Sequence, residues 1–132
     1  MRYLLDTQLL LWAAGDSPCL PAAVRTLLVA DEHDFLFSAA SIWEVVIKGA
    51  LGRDDFKVDA NRLRRGLLAN GYAELAISSE HALAVAGLPP LHGDPFDRIL
   101  AAQSKVESLP LLTADAQLAA YAASGAPIQL NN

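Results

Sequence analysis

The sequence predicts an α/β fold, a three-layer α/β/α sandwich around a central, mostly parallel sheet. Three observations carry this reading. The runs Tyr3-Leu4-Leu5, Phe35-Leu36-Phe37 and Leu109 to Leu112 are apolar on both faces, as strands covered from both sides must be. Segments of helical periodicity alternate with them, which places helices against a parallel sheet. The composition, 53% hydrophobic and 19% charged over 132 residues, fits one well-packed domain spanning 1–132 and excludes disorder.

Taken in order, Tyr3-Leu4-Leu5 is a buried strand ending at Asp6. A helix follows (Leu9, Leu10, Trp12, Ala13) and Gly15 closes it. Asp16-Ser17-Pro18 makes a turn, and Pro21 opens a second helix through Val24, Leu27 and Leu28. Phe35-Leu36-Phe37 is the second strand, ending at Ser38. Ser41 to Leu51 reads as a helix opened by a capping box, Ser41-Ile42-Trp43-Glu44. A loop covers Arg53 to Lys57, and Val58 to Asn70 is a basic helix stopped by Gly71. Glu74 to Ile77 is a weaker strand, and Ser79 caps a short helix that ends near Gly87. Leu88-Pro89-Pro90-Leu91 is a rigid connector. Pro95 to Glu107 is a helix, Leu109 to Leu112 a strand, Thr113 to Ala123 a helix, and Pro127 to Leu130 an edge strand.

Composition narrows the function classes. No apolar run approaches the ~18 residues of a membrane span, and the opening Met1 to Asp6 does not read as a signal peptide. A lone cysteine, Cys19, forms no internal disulfide or thiolate metal site, so a reducing cytoplasm is expected. The net charge of −5 disfavours nonspecific nucleic-acid binding. Yet Lys48, Arg53, Lys57, Arg62, Arg64 and Arg65 gather most of the ten basic residues into one window. That window is either a solvated helix face or a surface for a phosphate backbone.

The most informative stretch is His92-Gly93-Asp94-Pro95-Phe96-Asp97-Arg98. Asp94 reads as an N-cap and partner of Arg98, Pro95 as N1 and Asp97 as N3. His92 reads as a structural hydrogen-bonder ahead of the helix. Capping alone would explain the segment, but three other acids fall at equivalent places. Asp6 ends the first strand, Glu44 lies in the first turn after the second, and Asp115 in the first turn after the fourth. Parallel sheets bind ligands beyond the carboxyl ends of their strands, so all four side chains face one rim.

Glu44 sits among Ile42, Trp43, Val45, Val46 and Ile47, and a buried charge there needs a partner. At roughly 5 Å and an effective dielectric of about 20, each carboxylate pair costs on the order of 3 kcal/mol. Converging acids therefore share protons or bind a hard cation, and oxygen-only donors favour Mg²⁺ or Mn²⁺ over zinc. Such a pocket suits phosphodiester hydrolysis by an activated water. Thr7, Ser38 and Thr113 lie at the same rim, placed to hydrogen-bond a phosphate or a water.

Four segments together resemble the PIN-domain ribonucleases, specifically the VapC toxins of bacterial type II toxin–antitoxin pairs. They are Leu4-Leu5-Asp6-Thr7, Ser41-Ile42-Trp43-Glu44, His92 to Arg98 with Ala101-Ala102-Gln103, and Leu111-Leu112-Thr113-Ala114-Asp115. The resemblance implies a PIN-like, Rossmann-like fold and a Mg²⁺- or Mn²⁺-dependent endoribonuclease held inhibited by a cognate antitoxin. It also implies homodimers and larger toxin–antitoxin assemblies that repress their own operon. Asp6, Glu44, Asp97 and Asp115 match the family's acidic site, and Asp94 does not. Gln8 follows Asp6-Thr7 where many relatives have His, a departure that bears on substrate contacts.

Three rivals remain on sequence grounds. A phosphoacceptor receiver domain needs an Asp ending its third strand, where this chain has Ile77-Ser78-Ser79, and a strand-end Lys, where Lys105 falls within a helix. A metal-free ribonuclease needs converging histidines, and His33, His81 and His92 lie on separate segments. A catalytically silent binding module with the same fold is the third.

Overall fold

The structure is a computed structural model that describes residues 1–52 and 57–132. Five parallel strands form its sheet: β1 (Arg2–Leu5), β2 (Asp34–Ser38), β3 (Ala73–Leu75), β4 (Leu111–Thr113) and β5 (Ile128–Leu130). They lie in the order β3-β2-β1-β4-β5, so the sheet is wholly parallel among the described residues. Tyr3 pairs with Phe35, Leu4 with both Leu36 and Leu111, and Leu112 with Gln129. The two edge strands have three residues each, which leaves little open edge for another chain to pair with.

Side chains alternate across the strands, and each face has its own core. Tyr3, Leu5, Phe35, Phe37 and Leu112 point to one side. There they meet Leu9 and Leu10 of α1 (Thr7–Ala14), Val24 of α2 (Ala22–Val29), Val45 of α3 (Ala39–Ala50) and Leu63 and Leu67 of α4 (Ala60–Ala69). Leu4, Leu36 and Leu111 point to the other. They meet Leu100, Ala101 and Ala102 of α6 (Pro95–Glu107), Leu118 of α7 (Ala116–Ala119) and Tyr121. The short α5 (Ser79–Ala84) packs on α6 and continues into a 3₁₀ turn at Val85–Gly87. The predicted α/β/α sandwich is therefore the observed one.

Several expected boundaries move, each for a local reason. Helix α3 begins at Ala39 directly after β2, because Ser38 accepts the Ala40 N–H at 3.0 Å and caps it with no intervening loop. Ser41 consequently cannot form the predicted capping box, and Glu44 lies beyond the first turn. The Ser41 hydroxyl instead accepts from Thr7 at 2.9 Å, joining α3 to α1. Asp59, which accepts from Asn61 and Arg62, starts α4 two residues later than expected. Ser78 rather than Ser79 caps α5, and His81 closes that box by accepting the Ser78 N–H. Thr113 ends β4 and caps nothing; Asp115 is the N-cap of α7, which gives way to 3₁₀ geometry at Ala120–Ser124. By contrast, α6 spans the predicted Pro95–Glu107, with Asp94 accepting from the Phe96 and Asp97 N–H groups.

Candidate active site

Strand β1 is flanked by β2 on one side and β4 on the other, so the connections diverge where β1 and β4 end. Divergence of this kind opens a crevice at the carboxyl edge of a parallel sheet. Here it is a cavity of about 550 Å³. Asp6, Glu44, Asp97 and Asp115 all line it, and Asp94 joins them. Thr7, Gln8, Leu11, Trp12 and Lys48 complete much of the wall.

Asp6 is 5% exposed and holds two jobs at once. Its Oδ1 accepts the Leu9 N–H at 2.8 Å and caps α1, while Oδ2 accepts the Thr113 hydroxyl. Thr113 Oγ1 in turn accepts the Asp115 N–H at 3.0 Å, so one relay ties the ends of β1 and β4 together. The Asp6 carboxyl is raised to about 6: burial raises it most, the two hydrogen bonds offset part of that, and the charges of Asp115 and Glu44 add to the rise.

Glu44 is 6% exposed. Its Oε2 lies 2.7 Å from Lys48 Nζ, one helical turn along α3, which supplies the partner a buried carboxylate needs. Asp97 is the N3 residue of α6, aimed at the cavity by the Asp94–Pro95 start. Burial raises it most, and Asp94, Asp115, Glu44 and Asp6 add to that, bringing it to about 7. Asp115 is exposed at the mouth and accepts the Gln117 N–H at 2.9 Å.

Among the described residues, no three His, Cys, Asp or Glu side chains close into a ready-made metal cage. The donor set still suits a hard cation. Every group is a carboxylate, and Asp6 and Asp97 are both raised by their acidic neighbours. Mg²⁺ in particular keeps several waters and takes only one or two carboxylates directly, so it needs convergence rather than a cage.

The secondary predictions separate. Thr7 lines the cavity. Ser38 does not reach a ligand: it is fully buried and spent on the Ala40 N–H. Thr113 is also fully buried and acts on Asp6 rather than on the cavity. Arg98 is not the partner of Asp94. Its guanidinium donates to Pro89 O at 3.1 Å, to Val85 O at 3.1 Å and to Tyr121 Oη at 3.1 Å, strapping the proline connector to α6.

Of the basic window, Lys48 enters the cavity. Arg64 pairs with Glu74 at 3.1 Å, Arg62 and Arg65 are exposed on α4, and Arg53 lies outside the described residues. The sequence reading does not place Gln8 and Trp12 together as wall residues. Their i,i+4 spacing on the helix capped by Asp6 is the signal that would have found them.

The family model of the PIN domain matches residues 3–124. Comparison with curated proteins gave no match. Among solved structures, VapBC2 from Rickettsia felis bound to a DNA fragment from its promoter is similar over 100% of both chains, at a TM-score of 0.71 and 14% identity. VapBC-1 from nontypeable Haemophilus influenzae is similar at a TM-score of 0.65 and 19% identity, over 98% of each chain. FitAcB from Neisseria gonorrhoeae gives 0.63 and 21%, over 99% of this chain and 97% of the other. At these identities the likeness is one of fold.

The raised carboxyls make stability depend on pH in a defined direction. Between the ordinary value of 3.8 and about 6 for Asp6, or about 7 for Asp97, the folded protein binds more protons than the unfolded chain. Stability of the metal-free protein is thus expected to fall as pH rises through that window, the whole loss being present above about 7. Urea unfolding in EDTA across the window checks this. Asp97→Asn should flatten the decline, and an unchanged slope would clear Asp97 of causing it.

Proposed function

The chain belongs to the PIN-domain family, and from that premise we propose that it is a Mg²⁺- or Mn²⁺-dependent endoribonuclease, the VapC-type toxin of a toxin–antitoxin pair. The observation that carries the reading is the convergence of Asp6, Glu44, Asp97 and Asp115 on one cavity at the sheet's switch point. These four carboxylates would hold the ion. When bound, it supplies charge neutralisation for the phosphodiester and a more acidic attacking water.

The chain's own residues set the stage. Asp6 is locked by Leu9 and Thr113, so its carboxylate is pre-oriented rather than recruited. Asp97 accepts no hydrogen bond within 3.5 Å among the described residues, which leaves its oxygens free to orient water. Lys48 neutralises Glu44 in the cavity wall and so lowers the negative charge that a polyanionic substrate meets there. Arg62 and Arg65 on α4 extend that attraction to RNA outside the cavity, with Arg53 and Arg64 in the same window.

Several of the structural neighbours are VapBC or toxin–antitoxin structures, one of them bound to promoter DNA, which supports a cognate antitoxin as partner and operon repression through it. A homodimer fits the exposed Trp43, Val46 and Ile47 of α3, an apolar strip that a second copy would cover. No helix of the described residues is long and apolar enough to cross a membrane, and a cytoplasmic setting suits the free Cys19. A receiver domain fits poorly, since β3 is an edge strand ending at Leu75 and Lys105 is exposed on α6.

Asp97→Asn is expected to lower RNA cleavage by about two orders of magnitude or more with the fold retained. Products should carry 5′-phosphate and 3′-hydroxyl ends; undiminished cleavage, or cyclic phosphate ends, overturns the reading. Millimolar Mg²⁺ or Mn²⁺ should raise the melting temperature over that in EDTA, since binding to the folded state alone stabilises it. Identical melting curves would leave the site without a metal. Replacing Arg62 and Arg65 by Gln should weaken RNA binding and flatten its salt dependence; an unaltered slope reassigns them to a solvated face.

A further inference from the structure

His92 belongs to the motif that starts α6, and the capping account leaves its ring unexplained. The backbone there is fixed from both sides. The His92 N–H donates to Tyr121 Oη at 3.3 Å, and Tyr121 Oη donates back to the His92 carbonyl at 2.9 Å. Arg98 holds the same phenol oxygen, and the imidazole lies against the Tyr121 ring, centroids 5.2 Å apart.

Within that frame, Nδ1 accepts the Asp94 N–H at 3.3 Å, which leaves the ring proton on Nε2. Nε2 is buried and has no hydrogen-bond partner. A buried donor left unpaired is costly and calls for an explanation. The explanation lies beside it: Asp97 Oδ2 is 3.7 Å away, and both side chains are 18% exposed. A displacement of under about 1 Å brings the two within hydrogen-bond distance. Contacts at active sites are commonly long before the site is loaded and tighten afterwards.

We propose that His92 is a positioning residue: its Nε2–H fixes the Asp97 carboxylate in the orientation in which it serves a bound divalent cation. The inference rests on the metal-site reading above. It gives the stretch His92 to Asp97 one purpose, in which Asp94 caps the helix, orients the imidazole through its own N–H, and so sets the donor that steadies Asp97. Outer partners of this kind commonly change metal affinity or activity by about 10- to 100-fold when removed.

The two ring nitrogens can be tested apart in the full chain with Mn²⁺ as probe. His92→Asn puts an amide near the Nδ1 place and cannot reach Asp97. His92→Gln reaches the Nε2 place. Mn²⁺ titration by calorimetry is expected to show about 10- to 100-fold weaker binding for His92→Asn and substantial recovery for His92→Gln, with RNA cleavage following the same order. Melting temperatures without metal report any purely structural loss. Equal binding by all three proteins, or equal weakening in both variants, overturns the proposal while leaving the metal site standing. Absence of Mn²⁺ binding by the unaltered chain removes both together. In the unaltered protein, imidazole ¹⁵N shifts should show the Nε2–H form, with that proton slowed in exchange by Mg²⁺; an Nδ1–H form overturns the assignment without any substitution.

Discussion

The hydrogen bond from Thr113 to Asp6 joins the carboxyl ends of the two strands between which the sheet's connections part. Without it, Asp6 would be a buried charge held only by the helix start behind it. With it, the carboxylate is fixed in the floor of an open cavity, and the Asp115 N–H is drawn into the same relay. The remaining acids gather around this anchor: Glu44 from α3 with its lysine, and Asp97 from the first turn of α6. A sheet with a single parallel pairing pattern provides the rim; the Thr113–Asp6 contact decides where on that rim negative charge is concentrated.

Concentrated charge of this sort creates a difficulty for a polyanionic substrate. The protein is acidic overall, and five carboxylates line the cavity. Burial and mutual repulsion answer part of it by holding protons on Asp6 and Asp97 well above the pH at which such groups ordinarily lose them. Lys48 answers another part by neutralising Glu44 in place. In the proposed reading the rest would fall to a cation from solution and to the arginines of α4, which lie outside the cavity. That reading would assign attraction and chemistry to different surfaces.

How much of this was readable beforehand depends on the range of the interaction concerned. Helix α6 was predicted residue for residue because its signals, a capping Asp and a Pro at N1, are local. The four acids line one cavity, as the shared rim of strand ends in a parallel sheet leads one to expect whatever the loops do. The capping box at Ser41 misled because β2 runs into α3 without a loop, so Ser38 had already taken that role. Helical spacing pairs Arg98 with Asp94, whereas two carbonyls and a phenol from other segments hold it. The Thr113 bond to Asp6 spans 107 residues. No periodicity in one sequence reports a pairing of that reach, nor the empty donor of His92.

The site draws Asp6 and Glu44 from elements packed on one core, and Asp97 and Asp115 from elements packed on the other. The earlier elements of the chain supply the first pair and the later ones the second. Strand β4, which carries Thr113, must then insert beside β1 before Asp6 is fixed. A half-folded chain accordingly has no assembled centre, however well one core has condensed. The centre is therefore a joint property of the two cores and is lost whenever either one opens.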